Sequence, residues 1–299
     1  MTKCLIMIAR RKMNESKARV WKKIICFYTL TMLLSLGFGA FILHSGKLEA
    51  GNLLYVTGAM WSPALAAFAT KKLFGENIRD LPWRWGEPRY AWLAYFIPIG
   101  YALPVYLIAW ISGFGAFNMS ILPKMAADFG WQNFSPALAL FLFVLITATL
   151  GMVGKLSRAL GEEIGWRGFL VPELSKVVGF PGVGLISGLM WAVYHYPVLL
   201  FADYNAGAPA WYGATCFTMS VVGGSFIMAW LTLRARSLWP AAILHASHNL
   251  FIQSILTPLT KDTGPTKFII DEFGIGLAIA VTIGAIIAWR SASRSPFSN

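Results

Sequence analysis

Apolar residues along this chain gather into eight long blocks, near 24–43, 53–70, 91–112, 136–154, 182–201, 212–233, 238–256 and 272–289. Short polar connections separate them. Each block approaches the roughly 20 apolar residues that an α-helix needs to cross a bilayer. The pattern predicts an all-α polytopic membrane bundle of about eight transmembrane helices. No internal repeat or low-complexity tract interrupts it.

One stretch departs from the pattern. Residues 155–178 read KLSRALGEEIGWRGFLVPELSKVV. They are too charged for a lipid-facing span and too apolar for a simple loop. As a helix they put Leu156, Leu160, Ile164 and Phe169 on one side. Two readings stay open: an interfacial helix lying on the cytoplasmic face, or a helix that dips into the bundle and carries chemistry. Met60-Trp61-Ser62-Pro63-Ala64-Leu65 in the second block reads either as a proline-broken helix near a cavity or as a bent lipid-facing one.

Composition narrows the class. The 299 residues are 57% hydrophobic and 13% charged, with a mean hydropathy of +0.60. A soluble domain usually carries about 25% charged residues. A soluble globular enzyme, a disordered chain and a coiled coil are therefore excluded. The net charge of +12 would suit nucleic acid, but the basic residues sit between apolar blocks, where they set membrane orientation. Nucleic acid is not an expected partner.

The distribution of lysine and arginine predicts the topology. The N-terminal stretch is basic, and Lys71, Lys72, Arg79, Arg84 and Arg89 fill the second connection. Lys155, Arg158, Arg167 and Lys176 fill the fourth, Arg234 and Arg236 the sixth, and Arg290 and Arg294 follow the last block. The alternate connections hold only Lys47, Lys124, and then Lys261 and Lys267. This asymmetry places both termini in the cytoplasm with an even number of spans. The expected organisation is a basic tail over 1–23, a transmembrane domain over 24–289 and a short tail over 290–299. The first apolar run has no small-x-small cleavage site after it, so it reads as a retained span rather than a signal peptide. Cys4, Cys26 and Cys216 form no CxxC pair, which argues against disulfides and structural zinc.

The candidate chemistry lies in three segments. Ionisable groups at membrane depth are costly and usually face a cavity. Glu162 and Glu163 are adjacent, so on a helix they point about 100° apart and cannot do the same job. Arg158 stands four before Glu162, and Arg167 four after Glu163, at spacings that allow ion pairs. One glutamate can be tied to an arginine while the other faces a cavity as a general base. A charged cytoplasmic helix with two salt bridges is the plainer reading of the same residues. His195 lies one turn after Trp191, and Pro197 crowds the carbonyl of Val193. His245 and Asn249 share a helix face and supply hydrogen-bond donors for an oxyanion, or simple interhelical bonds. His248 flanks or leaves that face, and His44 reads as an interface residue. Together the set reads as a water-activating site. HExxH, GxGxxG, P-loop and GxSxG motifs are absent.

In order, Glu162-Glu163-x-x-x-Arg167, Trp191-x-x-x-His195 and His245-x-x-x-Asn249 resemble the motifs of the CPBP family of intramembrane proteases. That family includes the type II CAAX prenyl endopeptidases and ABI-type relatives. The flanking Gly161-Glu162-Glu163-Ile-Gly-Trp166-Arg167-Gly168 and Ser237-Leu238-Trp239-Pro240 are similar too. The motifs span about 158–250.

The resemblance implies an endopeptidase acting on a hydrophobic peptide or membrane protein substrate at the bilayer, with CAAX-type substrates among the options. Glu162 would activate water, His195 would hold it, and His245 and Asn249 would form the oxyanion hole. Glu163, Arg167 and Trp191 would support them. The second motif usually opens with Phe and here opens with Trp191, which bears on pocket shape. No cofactor is expected in this version. A zinc-dependent version would use Glu162, His195 and His245 as ligands. A non-catalytic scaffold or bacteriocin-immunity-type member is a further alternative, and a proton-coupled carrier a more distant one. The expected setting is a bacterial cell membrane with the site reached from the cytoplasm.

Depth arithmetic poses a difficulty. Counted from the predicted block starts, His195 lies about 20 Å in and His245 about 10 Å in at 1.5 Å per residue.

Overall fold

The computed structural model describes residues 2–45, 53–202, 204–295 and 297, with side chains from Ser16 onward except Leu43, Ser45 and Leu53. Lys47, counted in the topology, lies outside the described residues, as do the side chains of Cys4 and of the basic residues before Ser16.

Helices form at every apolar block. They are α1 (Thr2–Ser45), α2 (Leu53–Leu73), α3 (Pro88–Ser112), the short α4 (Leu122–Asp128) and α5 (Pro136–Glu163). After α5 the chain continues without a break as a π-helical turn, Ile164–Leu170, into the short α6 (Val171–Ser175). Then follow α7 (Phe180–Phe201), α8 (Ala210–Ala235) and α9 (Trp239–His248). A second π-helical stretch, Asn249–Leu256, extends α9, and α10 (Ile275–Arg294) closes the bundle. Two-residue strands, Ala116–Phe117 and Thr260–Lys261, pair antiparallel between loops.

Among the described residues, six helices are long and apolar enough to cross a membrane: Ser16–Ile42, Pro88–Ser112, Pro136–Ser175, Phe180–Phe201, Ala210–Ala235 and Ile275–Arg294. Their outer faces expose large apolar side chains such as Ile25, Ile111, Leu150, Val153 and Ile287. Water would not tolerate that many, whereas lipid is their natural solvent. The chain is a multi-pass helical membrane protein. The last helix begins at Ile275 rather than at 272, which leaves Asp271 and Glu272 in the preceding loop.

The interior is built around α9. It packs against α3, α5 and α8, while α2 packs against α1 and α5, and α8 lies between α7 and α10. Pro63 sits inside α2 with Ser62 and Ala64 fully buried, so this proline faces the bundle and not lipid. The 155–178 stretch is not an interfacial helix. Gly161 through Val171 are all buried, so its second half dips into the bundle. Arg167, counted above with the fourth connection, is fully buried.

Candidate active site

The π-helical turns mark the two places where the motifs sit. Glu162 and Glu163 end α5 just before one, and Asn249 begins the other. A π-turn inserts an extra residue into the helix and rotates the face that follows, and such turns recur at functional sites.

The two glutamates part company as their spacing requires. Glu163 is wholly buried, and its Oε1 accepts from Arg167 Nη1 at 2.9 Å and from His245 Nδ1 at 2.9 Å. Arg167 Nη2 donates to Ser225 Oγ at 2.9 Å, and its guanidinium carbon lies 4.1 Å from the Trp191 ring centre. Glu162 turns the other way. Its Oε2 accepts from the indole Nε1 of Trp191 at 2.7 Å, and the side chain lines a cavity of about 460 Å³. The i, i+4 ion pair between Arg158 and Glu162 does not form, so Glu162 is not neutralised by its own helix. Arg158 lines the same cavity.

His195, His245 and Asn249 line this cavity together with Glu162 and Trp191, while Glu163 stands behind its wall. The Trp191 ring lies between the histidines, 5.9 Å from His195 and 5.3 Å from His245 by ring centres. His195 and His245 meet at this one cavity despite their different distances from the predicted block starts. The residues leading into α9, Ser237 and Leu238, are buried under the 74–87 connection, with Leu238 N–H donating to the Pro82 carbonyl at 3.0 Å and Ser237 Oγ to the Trp85 carbonyl at 3.1 Å.

The histidines are oriented in the same sense. His195 Nδ1 donates to the Trp191 carbonyl at 2.9 Å, an assignment forced because a carbonyl only accepts. His245 Nδ1 faces the Glu163 carboxylate. Both rings thus have Nδ1 tied, and neither Nε2 has a hydrogen-bond partner among the described residues. The Asn249 amide makes no hydrogen bond among the described residues. No group of three His, Cys, Asp or Glu side chains among those residues is arranged to hold a metal ion.

Sequence reasoning missed the far wall. Asp271, Glu272, Tyr101, Tyr204 and Gln253 line the cavity opposite the glutamates. Glu272 accepts from Tyr204 Oη, from His248 Nε2 at 3.3 Å and from Gln253 Nε2 at 3.3 Å. Tyr101 Oη bonds His248 Nδ1 at 2.7 Å, so both nitrogens of His248 are occupied. Asp271 accepts from Thr257 Oγ1 at 2.9 Å and adopts the left-handed backbone region with φ 67°. Burial and the adjoining Glu272 push the Asp271 carboxyl up to about 6. Burial acts the same way on Glu272, but the bonds from His248, Tyr204 and Gln253 outweigh it and hold its carboxyl below the usual value. Burial and then Glu272 raise the Tyr204 phenol well above its ordinary value. The signal was present: two adjacent carboxylates at the mouth of an apolar block are costly unless they face a cavity.

A membrane helix bundle with a carboxylate, two histidines and an asparagine around one interior cavity defines an integral membrane protein with a polar interior site. Comparison with known proteins gives the family. Residues 133–251 match the family model described as type II CAAX prenyl endopeptidase Rce1-like. A curated relative, CAAX prenyl protease 2 of Methanococcus maripaludis, is 28% identical over 161 residues, 52% of this chain and 52% of that protein. The chain thus spans about half the length of the curated relative it matches. The matched stretch carries every motif residue named above, and over it the chain is similar to CAAX-protease-like membrane proteins.

Proposed function

We propose that this chain is an intramembrane endopeptidase that hydrolyses a peptide bond of a membrane-associated or hydrophobic substrate with water activated by Glu162. The observation that carries the reading is that Glu162, His195, His245 and Asn249 face one cavity while Glu163 and Arg167 are consumed behind its wall.

The chemistry follows from the free atoms. Glu162 takes a proton from a water held against His195 Nε2, and the hydroxide attacks the scissile carbonyl carbon. The carbonyl oxygen becomes an oxyanion, which Asn249 and His245 Nε2 stabilise by donation. For His245 to donate there while Nδ1 faces the Glu163 carboxylate, both ring nitrogens carry hydrogen. The imidazolium form then balances the set: Glu162 and Glu163 against Arg167 and His245. Protonated Glu162 finally gives its proton to the departing amine, the C–N bond breaks, and the carboxylate is restored.

A zinc version needs the opposite state of His245, neutral with a lone pair on Nε2. Asn249, a poor zinc ligand and a good oxyanion donor, supports the metal-free reading. A CAAX-type substrate, the kind named for the relative, fits a cavity with apolar walls. A cavity that opens to the cytoplasm fits the lysine and arginine pattern.

The test is cleavage of quenched-fluorescent hydrophobic peptides by purified protein in lipid, comparing wild type with Glu162→Gln and His245→Ala, with and without a strong zinc chelator. Activity lost in both variants and kept under chelator is expected. Loss under chelator with recovery on adding Zn²⁺ would establish the metalloprotease instead. Full activity in Glu162→Gln would remove the site assignment and leave a scaffold role in front.

A further inference from the structure

The two oxyanion donors are held differently. His245 is aimed by the Glu163 carboxylate at its Nδ1. The Asn249 amide makes no hydrogen bond among the described residues. An oxyanion donor works only when its direction is set before the charge develops. The direction of Asn249 must therefore come from the backbone on which it stands, where α9 passes into the second π-helical stretch. The residue before it, His248, is fixed at both ring nitrogens. Tyr101 Oη lies 2.7 Å from Nδ1, and Glu272 Oε2 lies 3.3 Å from Nε2. A carboxylate only accepts, so Nε2 carries the hydrogen and Nδ1 of the neutral ring accepts from the tyrosine. Glu272 also accepts from Gln253 Nε2 at 3.3 Å. It thus grips the chain on both sides of Asn249, at the residue before and at the residue four after. The π-helical turn makes this double grip possible. In an α-helix, residues five apart point about 140° from each other. A π-helix closes its bonds between residues five apart, so His248 and Gln253 come to one side and meet the same carboxylate.

We propose that Glu272 and Tyr101 are positioning residues for Asn249: by holding His248, and Glu272 also Gln253, they fix the π-helical turn that aims the asparagine amide at the developing oxyanion. The proposal rests on the endopeptidase reading and on the oxyanion role of Asn249. Tyr101 belongs to α3, and Glu272 to the loop before α10. Tyr204 Oη, from the connection between α7 and α8, donates to Glu272 and holds it in place. Tyr101, Gln253 and Glu272 all lie outside residues 133–251, the stretch that matches the family model. Groups that aim an oxyanion donor act when the carbonyl oxygen becomes charged and not when substrate binds. Their loss therefore falls on kcat and spares KM.

The experiment is steady-state cleavage of a quenched-fluorescent hydrophobic peptide by the full chain in lipid, at a temperature below the unfolding midpoint of every variant. Glu272→Leu removes both grips and is expected to lower kcat at least about tenfold, with KM within about twofold of wild type. Glu272→Gln keeps an acceptor oxygen for His248 and is expected to recover most of that loss. Tyr101→Phe removes one hydroxyl and keeps the ring, and is expected to lower kcat about threefold. Tyr106→Phe is the control. It removes a hydroxyl bond of the same kind, to Thr257 Oγ1 at 2.6 Å, and is expected to lower stability without moving kcat. In an Asn249→Ala background, Glu272→Leu is expected to change kcat by less than about twofold, since no amide remains to be aimed.

An unchanged kcat in Glu272→Leu, a change confined to KM, or the same loss with and without Asn249 overturns the proposal and leaves the protease reading standing. Equal kcat in Tyr101→Phe and Tyr106→Phe does the same. Should Glu272→Leu fail to fold, Tyr101→Phe takes its place in both backgrounds. If wild type cleaves no peptide, the endopeptidase reading has failed and the proposal falls with it.

Discussion

The indole N–H of Trp191 donates to Glu162 Oε2 at 2.7 Å, while the face of the same ring carries the Arg167 guanidinium at 4.1 Å. One side chain thus holds the proposed base and covers the buried ion pair behind it. The family motif usually has Phe here, which could pack against Arg167 but could not donate to Glu162. The tryptophan fixes one carboxylate oxygen and leaves the other for water.

Trp191→Phe is therefore expected to keep the fold and loosen the carboxylate. Losing one hydrogen bond to a charged group lowers kcat by about tenfold with little change in KM. Steady-state kinetics on the best peptide checks this. An unchanged kcat would show that Glu162 needs no such tether.

The two glutamates should separate cleanly by assay. Glu162→Gln retains the shape and loses the base, so activity falls by roughly a thousandfold while the thermal midpoint stays close to wild type. Glu163→Gln leaves the Arg167 charge buried without its counterion. Breaking such a pair from one side costs about 3–5 kcal/mol. Thermal unfolding in lipid should show a large drop in midpoint for Glu163→Gln alone. The reverse ranking would mean that the roles are exchanged.

Much of this was legible in the chain. Periodic apolar blocks located the helices because lipid demands continuous apolar length. The motif residues could be picked out because polar groups are rare at depth. Glu163 and Arg167 were pairable from an i, i+4 spacing, and they pair. Arg158 and Glu162 were equally pairable and do not pair, although both line the same cavity. That choice is tertiary. So is the meeting of His245 and His195 at one cavity. Glu272 fell inside a predicted span because the hydropathy of 272–289 masks one carboxylate. Its partners Tyr204, His248 and Gln253 come from elements that sequence spacing does not relate.

The far wall carries a pH signature. Asp271 sits in the loop before α10 with its carboxyl pushed up to about 6 by burial and then by Glu272. The folded state therefore binds more protons than the unfolded one between the unfolded value near 3.8 and about 6. The Asp271 contribution is fully present below that window and is lost as pH rises through about 6. Asp271→Asn, which tolerates the left-handed backbone, should raise the thermal midpoint above wild type at pH 7 and lose that advantage near pH 4. Glu272 is lowered, so its contribution is present above its unfolded value and is lost as pH falls. Glu272→Gln should cost most stability near neutral pH. Parallel pH profiles for the two variants would contradict the assignment.

The glycines around Glu162 explain how closely α5 approaches α2. A Cβ on Gly165 would lie 2.5 Å from Pro63 Cβ and 2.6 Å from the Pro63 carbonyl oxygen. One on Gly161 would lie 2.7 Å from Trp61 Cγ and 2.9 Å from the Met60 carbonyl oxygen. At Gly165 the obstacle is a proline ring and backbone, neither of which can swing aside. Gly165→Ala must therefore push the π-helical turn away from α2. Glu162 sits between these two contacts and would move with the turn, away from the water position shared with His195. A displacement of about 1 Å at a reacting group is worth roughly a hundredfold in rate. Gly168 is the control, because its Cβ would meet the movable end of Leu238 at 3.2 Å. Gly165→Ala is expected to lose about a hundredfold in kcat and several degrees in midpoint, and Gly168→Ala to lose little of either. Equal behaviour of the two variants would mean that helix approach at Pro63 does not set the position of Glu162.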